Sequence, residues 1–217
     1  MKMLNSMKPL FKIKIVITTT FILIACAAWP AHAKGKVQEA ENLVADLITD
    51  LEKISTNLEM SDKKNRQVLD QLVEKYFDVD AIMRFSVGRY WRVATKSERS
   101  AYARLFRNVL LNQASEQFYK LIDLEFRPTT TKTKGSKLIL VGGIIHDKTG
   151  EFPDVEIFWR IVAQPQMSPK IFDIEIENIS MLKTQQDENT TLIRRNSGRF
   201  GALIEALQDQ LDSQQTY

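Results

Sequence analysis

The order of hydrophobic periods predicts an α+β fold: an antiparallel sheet of about four strands, covered on one face by several helices. Apolar residues recur every three or four positions from Val37 to Ile122, and every two positions from Leu124 to Met181. The extended segments follow one another through short links, so they pair as antiparallel neighbours. Their side chains are apolar on one face and polar on the other, so helices are required to cover the apolar one.

The helical half is read in order. Val37, Ala40, Val44, Leu47, Leu51, Ile54 and Leu58 share one face of a first helix, with Glu39, Glu41, Asp46, Asp50 and Lys53 on others. Ser61 or Asp62 caps a second, which turns Leu69, Leu72, Val73 and Tyr76 inward. Asp78 or Asp80 caps a third, which runs on to a corner at Val93 to Thr95. Thr95 and Glu98 then form a T-x-x-E capping box at the head of the longest helix, from about Lys96 to Ile122.

Leu124 and Phe126 open the first strand, followed by strands over Lys137 to Ile145, Val155 to Ala163 and Ile171 to Met181. Val155, Ile157, Trp159 and Ile161 share one face, opposed by Glu156, Phe158, Arg160 and Val162. Phe172, Ile174 and Ile176 likewise oppose Asp173, Glu175 and Glu177. A helix from about Asp187, a break near Ser197-Gly198, and a last helix carrying Phe200, Leu203, Leu207 and Leu211 complete the chain.

Residues 1–33 read as a signal peptide: Lys2, Lys8, Lys12 and Lys14 precede a short apolar run, and Ala31-His32-Ala33 offers a small-x-small cleavage site. The expectation is export to the periplasm with cleavage before Lys34. The competing expectation is a lipoprotein, since Leu23-Ile24-Ala25-Cys26 has the pattern of a lipoprotein cleavage box. Residues 34–211 then form the single domain, and 212–217 a frayed polar tail. Without the four leader lysines, 26 basic residues face 27 acidic ones, a balance that gives no reason to expect nucleic acid. Cleavage at Ala33 also leaves no cysteine and only His146, which excludes disulfides, thiol nucleophiles and a Cys/His zinc cluster. His146, in His146-Asp147-Lys148-Thr149-Gly150, reads as an exposed turn residue.

The sequence carries no phosphate loop, nucleophile elbow or metal-binding H-E-x-x-H, and no cofactor or metal is predicted. The pairs Asp78/Asp80 and Glu175/Glu177 suit a helix start and an exposed strand face. Two basic clusters, Arg84, Arg89 and Arg92 with Lys96 and Arg99, and Arg194, Arg195 and Arg199, are solvated faces or a docking surface for acidic partners or phosphate head groups. What remains is apolar surface, which either packs a core or lines a cavity for something greasy.

The run Phe77-Asp78-Val79-Asp80, Met83-Arg84-Phe85, Val87-Gly88-Arg89-Tyr90-Trp91-Arg92, Ala94-Thr95 and Glu98-Arg99 resembles the signature of the toluene-tolerance, or MlaC, family of periplasmic phospholipid-binding proteins. Ile171-Phe172-Asp173-Ile174 and Ile176-Glu177-Asn178-Ile179-Ser180-Met181 resemble a strand of the same family. Thr184-Gln185, Ile193-Arg194-Arg195-Asn196 and Gly198-Arg199 look closer to its hopanoid-associated HpnM branch. The likeness spans about Val37 to Leu211. It departs at Asn178, where the family commonly has glycine, and at Gln186-Asp187-Glu188-Asn189, which replaces an arginine-containing stretch.

The resemblance implies helices on a curved sheet of the nuclear-transport-factor-like kind, with lipid chains held between the layers. It implies a non-enzymatic carrier of a phospholipid, or of a hopanoid or other lipid. The implied partners are an inner-membrane MCE-domain ABC transporter complex and an outer-membrane lipoprotein complex. On this reading Val87, Tyr90, Trp91, Phe106, Leu110, Ile157, Trp159, Ile161, Ile174 and Ile176, on the apolar faces of the central helices and sheet, line the cavity. Arg84, Arg89, Arg92, Arg194, Arg195 and Arg199 serve docking or the head group. Gly88 to Trp91 form an inner wall, with Arg89 and Arg92 turned outward at its mouth. Two other classes stay open: an isomerase-like enzyme using Tyr90 or Tyr102 with an aspartate, and a structural envelope protein with a filled core.

Overall fold

The computed structural model describes residues 29–55, 62–118, 123–163 and 167–214. The leader residues before Trp29, with Cys26, and the positions Leu58, Ser61, Leu121 and Ile122 lie outside them. The chain divides into two compact units at Lys36/Val37, and the second, Val37–Tyr217, carries the architecture. Seven helices and five strands are described: α1 (Trp29–Ser55), α2 (Asp62–Tyr76), α3 (Val79–Phe85), α4 (Tyr90–Val93), α5 (Lys96–Phe118), β1 (Leu124–Lys134), β2 (Leu138–Asp147), β3 (Val155–Val162), β4 (Lys170–Ile176), β5 (Ile179–Ser180), α6 (Met181–Arg195) and α7 (Gly201–Gln214). The strands form one antiparallel sheet in sequence order, so the predicted α+β meander is the observed fold.

The helix signals act as their chemistry requires. Asp78 caps α3 by accepting the Ala81 N–H at 3.0 Å. At the head of α5, Glu98 Oε2 accepts the Thr95 N–H at 2.8 Å while Thr95 Oγ1 accepts the Glu98 N–H at 3.2 Å, a reciprocal capping box. Ser197 and Gly198 both take positive φ, and the Gly198 N–H bonds Ile193 O at 2.9 Å, which ends α6.

Three element boundaries are corrected. The segment before Thr95 is not one helix running to the corner: Gly88 takes φ +51° and breaks it into α3 and α4. The last strand does not continue to Met181: Glu177 and Asn178 both take positive φ, forming a two-residue hairpin that folds β5 back on β4, with Ile176 opposite Ile179. Asn178 therefore occupies a left-handed position that glycine or asparagine accepts. Helix α6 accordingly begins at Met181, six residues before Asp187, with Ser180 Oγ accepting the Lys183 N–H at 3.0 Å.

The apolar sheet face is covered as expected. Ile139, Val141, Ile157, Trp159, Ile161 and Ile171 form one core with Ala40, Val44 and Leu47 of α1 and Leu69, Leu72 and Tyr76 of α2. A register shift opposite Arg160/Ile161 changes the predicted alternation: Ile171 joins Ile174 and Ile176 against that core, and the bulged Phe172 is re-aimed. The opposite face is not wholly wet. Phe158 is buried there, lying across Gly142 with the Lys132 ammonium 4.8 Å from its ring centroid. A side chain at Gly142 would collide with Phe158 and with the Thr130 carbonyl, so the glycine is what lets the ring lie flat. His146 belongs to β2 and bonds Asp154 at 2.7 Å.

A second core is entirely helical. Met83, Val87, Tyr90, Ala94, Tyr102, Ile193, Phe200 and Leu203 pack the α3–α4 turn, the head of α5, α6 and α7 together.

Candidate functional site

Between the sheet core and the helical core lies a cavity of about 560 Å³. Helix α1 contributes Leu47 and Leu51; α2 contributes Leu69, Leu72 and Val73; α5 contributes Phe106, Val109 and Leu110 from one apolar stripe. Trp159 of β3 and Phe172 and Ile174 of β4 form the sheet side, and Leu182 and Leu207 close it from α6 and α7. Its polar wall consists of Gln113, Gln185, Gln210, Asn189, Tyr102 and Asp173. No lysine or arginine lines it among the described residues. Such a space suits a long hydrocarbon, with neutral amides where it meets polar surroundings.

Asp173 is buried and already engaged by three donors. Its side chain is only 1% exposed, and its oxygens accept from Arg160 Nη1 at 2.7 Å, Ser180 Oγ at 2.5 Å and the Leu182 N–H at 2.9 Å. The carboxylate thus fixes the first turn of α6 to the sheet. Tyr102 is tied just as fully. Its hydroxyl shares a 2.7 Å hydrogen bond with Ser86 Oγ, which donates to Met83 O at 2.7 Å, and Asn189 Nδ2 donates to the phenol oxygen at 3.4 Å and to Ser86 O at 3.0 Å. Burial pushes the Tyr102 phenol above its ordinary range, against the opposing effect of the Ser86 hydrogen bond. Trp159 stands edge-on to Phe126 at 6.3 Å between centroids. Its indole N–H is buried without a partner among the described residues.

The sequence-predicted lining residues fall into three places. Phe106, Leu110, Trp159 and Ile174 are on the cavity wall. Ile157, Ile161 and Ile176 lie in or against the sheet core, and Val87 and Tyr90 in the helical core. Gly88, Arg89, Trp91 and Arg92 do not form the inner wall expected of them. With Ala81, Arg84, Phe85, Phe172 and Gln186 they line a separate hollow beside the turn at Gly88. Arg194 and Arg195 occupy the last turn of α6, a favourable place for cations, and Arg199 pairs with Glu205 at 3.1 Å. Sequence reasoning missed Phe172 as a wall residue distinct from its strand neighbours, and missed the amides. The one available signal was the family departure at Gln186 to Asn189, which lies where α6 meets the α3–α4 turn.

The family model described as MlaC protein matches residues 41–209. The chain belongs to the MlaC family. A solved structure, described as the phospholipid-binding protein from Ralstonia solanacearum in complex with a phospholipid, superposes with a TM-score of 0.68 at 18% identity, over 83% of this chain and 98% of that one. The MlaC architecture is therefore shared across the domain although few side chains are, as expected when a fold is held by pattern more than by identity.

Proposed function

We propose that this MlaC-family chain is a lipid carrier: it holds an acyl chain in the cavity between its two cores and moves it between envelope membranes. The observation that carries the reading is the 560 Å³ cavity with apolar walls from six helices and the sheet, and no cation in its described lining. The phospholipid named for the Ralstonia solanacearum structure supports it. A methylene takes roughly the 30 Å³ of a liquid water, so a sixteen-carbon chain needs on the order of 500 Å³. Burying such a chain is worth about 0.8 kcal/mol per methylene, on the order of 12 kcal/mol before opposing costs. Release into water is correspondingly slow, so delivery requires docking and a continuous apolar path.

This reading assigns the protein to the periplasm after export. It assigns an inner-membrane MCE-domain ABC transporter complex and an outer-membrane lipoprotein complex as docking partners, with Arg194, Arg195 and Arg199 as the docking surface. A carrier is favoured over an isomerase because Asp173, the one carboxylate on the described wall, is already engaged by three donors.

Native mass spectrometry and solvent extraction of protein purified from its own periplasm test the proposal. The expected result is about one lipid per chain, and the extracted mass separates phospholipid from hopanoid. Leu110→Glu, which sets a charge on the wall, is expected to lower occupancy at least tenfold while the protein still melts cooperatively. A protein that stays empty when offered lipid vesicles overturns the reading.

A further inference from the structure

Charge is divided along the sheet. From Phe126 to His146, and again from Arg160 to Phe172, the sequence has no Asp or Glu. Strand pairing sets the β1–β2 turn, at Gly135, beside the β3–β4 link, where the Ala163 N–H bonds Lys137 O at 2.9 Å. Lys132, Lys134 and Lys137 are exposed at this end. The opposite end carries Glu151 and Asp154 in the β2–β3 turn and Glu177 in the β4–β5 hairpin.

The outer sheet face at the basic end mixes these cations with apolar side chains. Lys134 stands opposite Leu138, and Leu138 opposite Val162; in the next row of the same face Lys132, Leu140 and Arg160 stand in line. Leu138, Leu140 and Val162 are half-buried and lie outside the three described cores. Met167, in the adjoining link, is 57% exposed. Lys134 and Lys137 have no acidic partner among the described residues. Glu41, which reaches β1 from α1, is occupied by the Thr131 hydroxyl at 2.6 Å. Arg160, the one arginine in these rows, is spent on buried Asp173 at 2.7 Å.

What is left at this end is three lysines, a strip of aliphatic side chains and an apolar tip. A protein's carboxylates sit at fixed points and are best gripped by a planar arginine fork, whereas lysines are point charges on flexible stems. Such stems lie along apolar surface while their charges reach outward, the arrangement that suits a lipid interface. We infer that the β1–β2 hairpin end of the sheet docks on an anionic bilayer surface, with Lys132, Lys134 and Lys137 at head-group level and Met167 entering the interface. The acidic far end is repelled by the same surface, so the two ends together orient the domain on it. The inference concerns the membrane the protein touches and does not depend on what the cavity holds.

The test mixes protein purified from its own periplasm with vesicles of phosphatidylglycerol and phosphatidylcholine in equal parts, or of phosphatidylcholine alone, and sediments the vesicles. Lipid carried off in the supernatant is assayed separately, so a failure of docking and a failure of carriage are told apart. Wild type is expected to sediment with the anionic vesicles at low salt and to leave them as salt rises. Lys132→Gln/Lys134→Gln/Lys137→Gln is expected to lower that partitioning at least tenfold, and Lys134→Gln/Lys137→Gln, which leaves the cation over Phe158 in place, several-fold. Lys64→Gln/Lys148→Gln/Lys183→Gln, which removes as much exposed charge elsewhere, is expected to sediment as wild type does. Equal sedimentation of the two triple variants overturns the inference. So does a wild type that binds soluble polyglutamate through the same three lysines but stays off the anionic vesicles, which assigns the face to an acidic protein.

Discussion

Asp173 shows how much of the architecture one side chain holds. Its carboxylate ties the β3 arginine, the α6 cap serine and the Leu182 N–H of α6, so it serves sheet and helix at once. Asp173→Asn removes the charge and turns one acceptor into a donor facing Arg160. The expected loss is about 2 to 3 kcal/mol, the range for leaving a buried charge and polar groups unpaired, seen as a lower urea midpoint at an unchanged slope. At the other end of the sheet core, Asp50 of α1 accepts from Lys75 Nζ at 2.8 Å and Tyr76 OH at 2.6 Å of α2. The Lys75 hydrogen bond first, then those of Tyr76 and Lys53, hold its carboxyl well below the ordinary 3.8. A depressed carboxyl adds stability above its unfolded value and loses it as pH falls through that value towards the folded one. Asp50→Asn is therefore expected to melt below wild type at pH 7, with the gap closing as the pH drops below about 4. Thermal melts across that range check it.

At the scale of elements, α6 is the clamp. It starts on Asp173, closes over the α3–α4 turn through Asn189 and Gln186, and ends on the left-handed pair Ser197-Gly198. Asn189 is buried and is the one donor to Ser86 O among the described side chains. Asn189→Leu is expected to cost about 2 kcal/mol. It is also expected to raise hydrogen exchange first in the segment from Phe85 to Ala94, where the turn has lost its tie. If exchange rises evenly over the domain, α6 is not a local clamp. Much of this layout was legible in the sequence, and what escaped did so for definite reasons. Thr95 and Glu98, Asp78, Ser197 and Gly198 announce helix ends through local chemistry, and each acts locally. Ser180 does not, because Glu177-Asn178 carries no glycine or proline to mark the two-residue hairpin that seats Ile179 opposite Ile176. The bulge that redirects Phe172 leaves no mark on the pattern either, since it is fixed by pairing with β3. Four of the ten expected lining residues are on the cavity wall because α5 and the sheet keep regular faces. Val87 and Tyr90 are not, because the positive φ at Gly88 decides where that turn faces.

The described residues of the domain pack a sheet core, a helical core and a small cluster of Leu105, Val109 and Leu211, and on the carrier reading the cavity beside them limits the cargo. At about 560 Å³ it matches one sixteen-carbon chain, which needs on the order of 500 Å³. A second chain of similar length has no room unless the helical core and the sheet core part. The seam they share runs between α2 and α5, where Arg107 of α5 bonds Asp70 and Glu74 of α2, each at 3.0 Å, and Arg66 of α2 bonds Asn108 and Asn112 of α5. These groups are partly exposed, so the Arg107 pairs are worth no more than about 1 kcal/mol to folding. That is still enough to change an opening rate several-fold. Arg107→Ala is therefore expected to load and release a diacyl phospholipid several times faster than wild type, with little change for a lysophospholipid that fits the closed cavity. Stopped-flow transfer from fluorescent donor vesicles measures both. Equal acceleration for the one-chain and two-chain lipids would show that entry depends on something other than parting this seam.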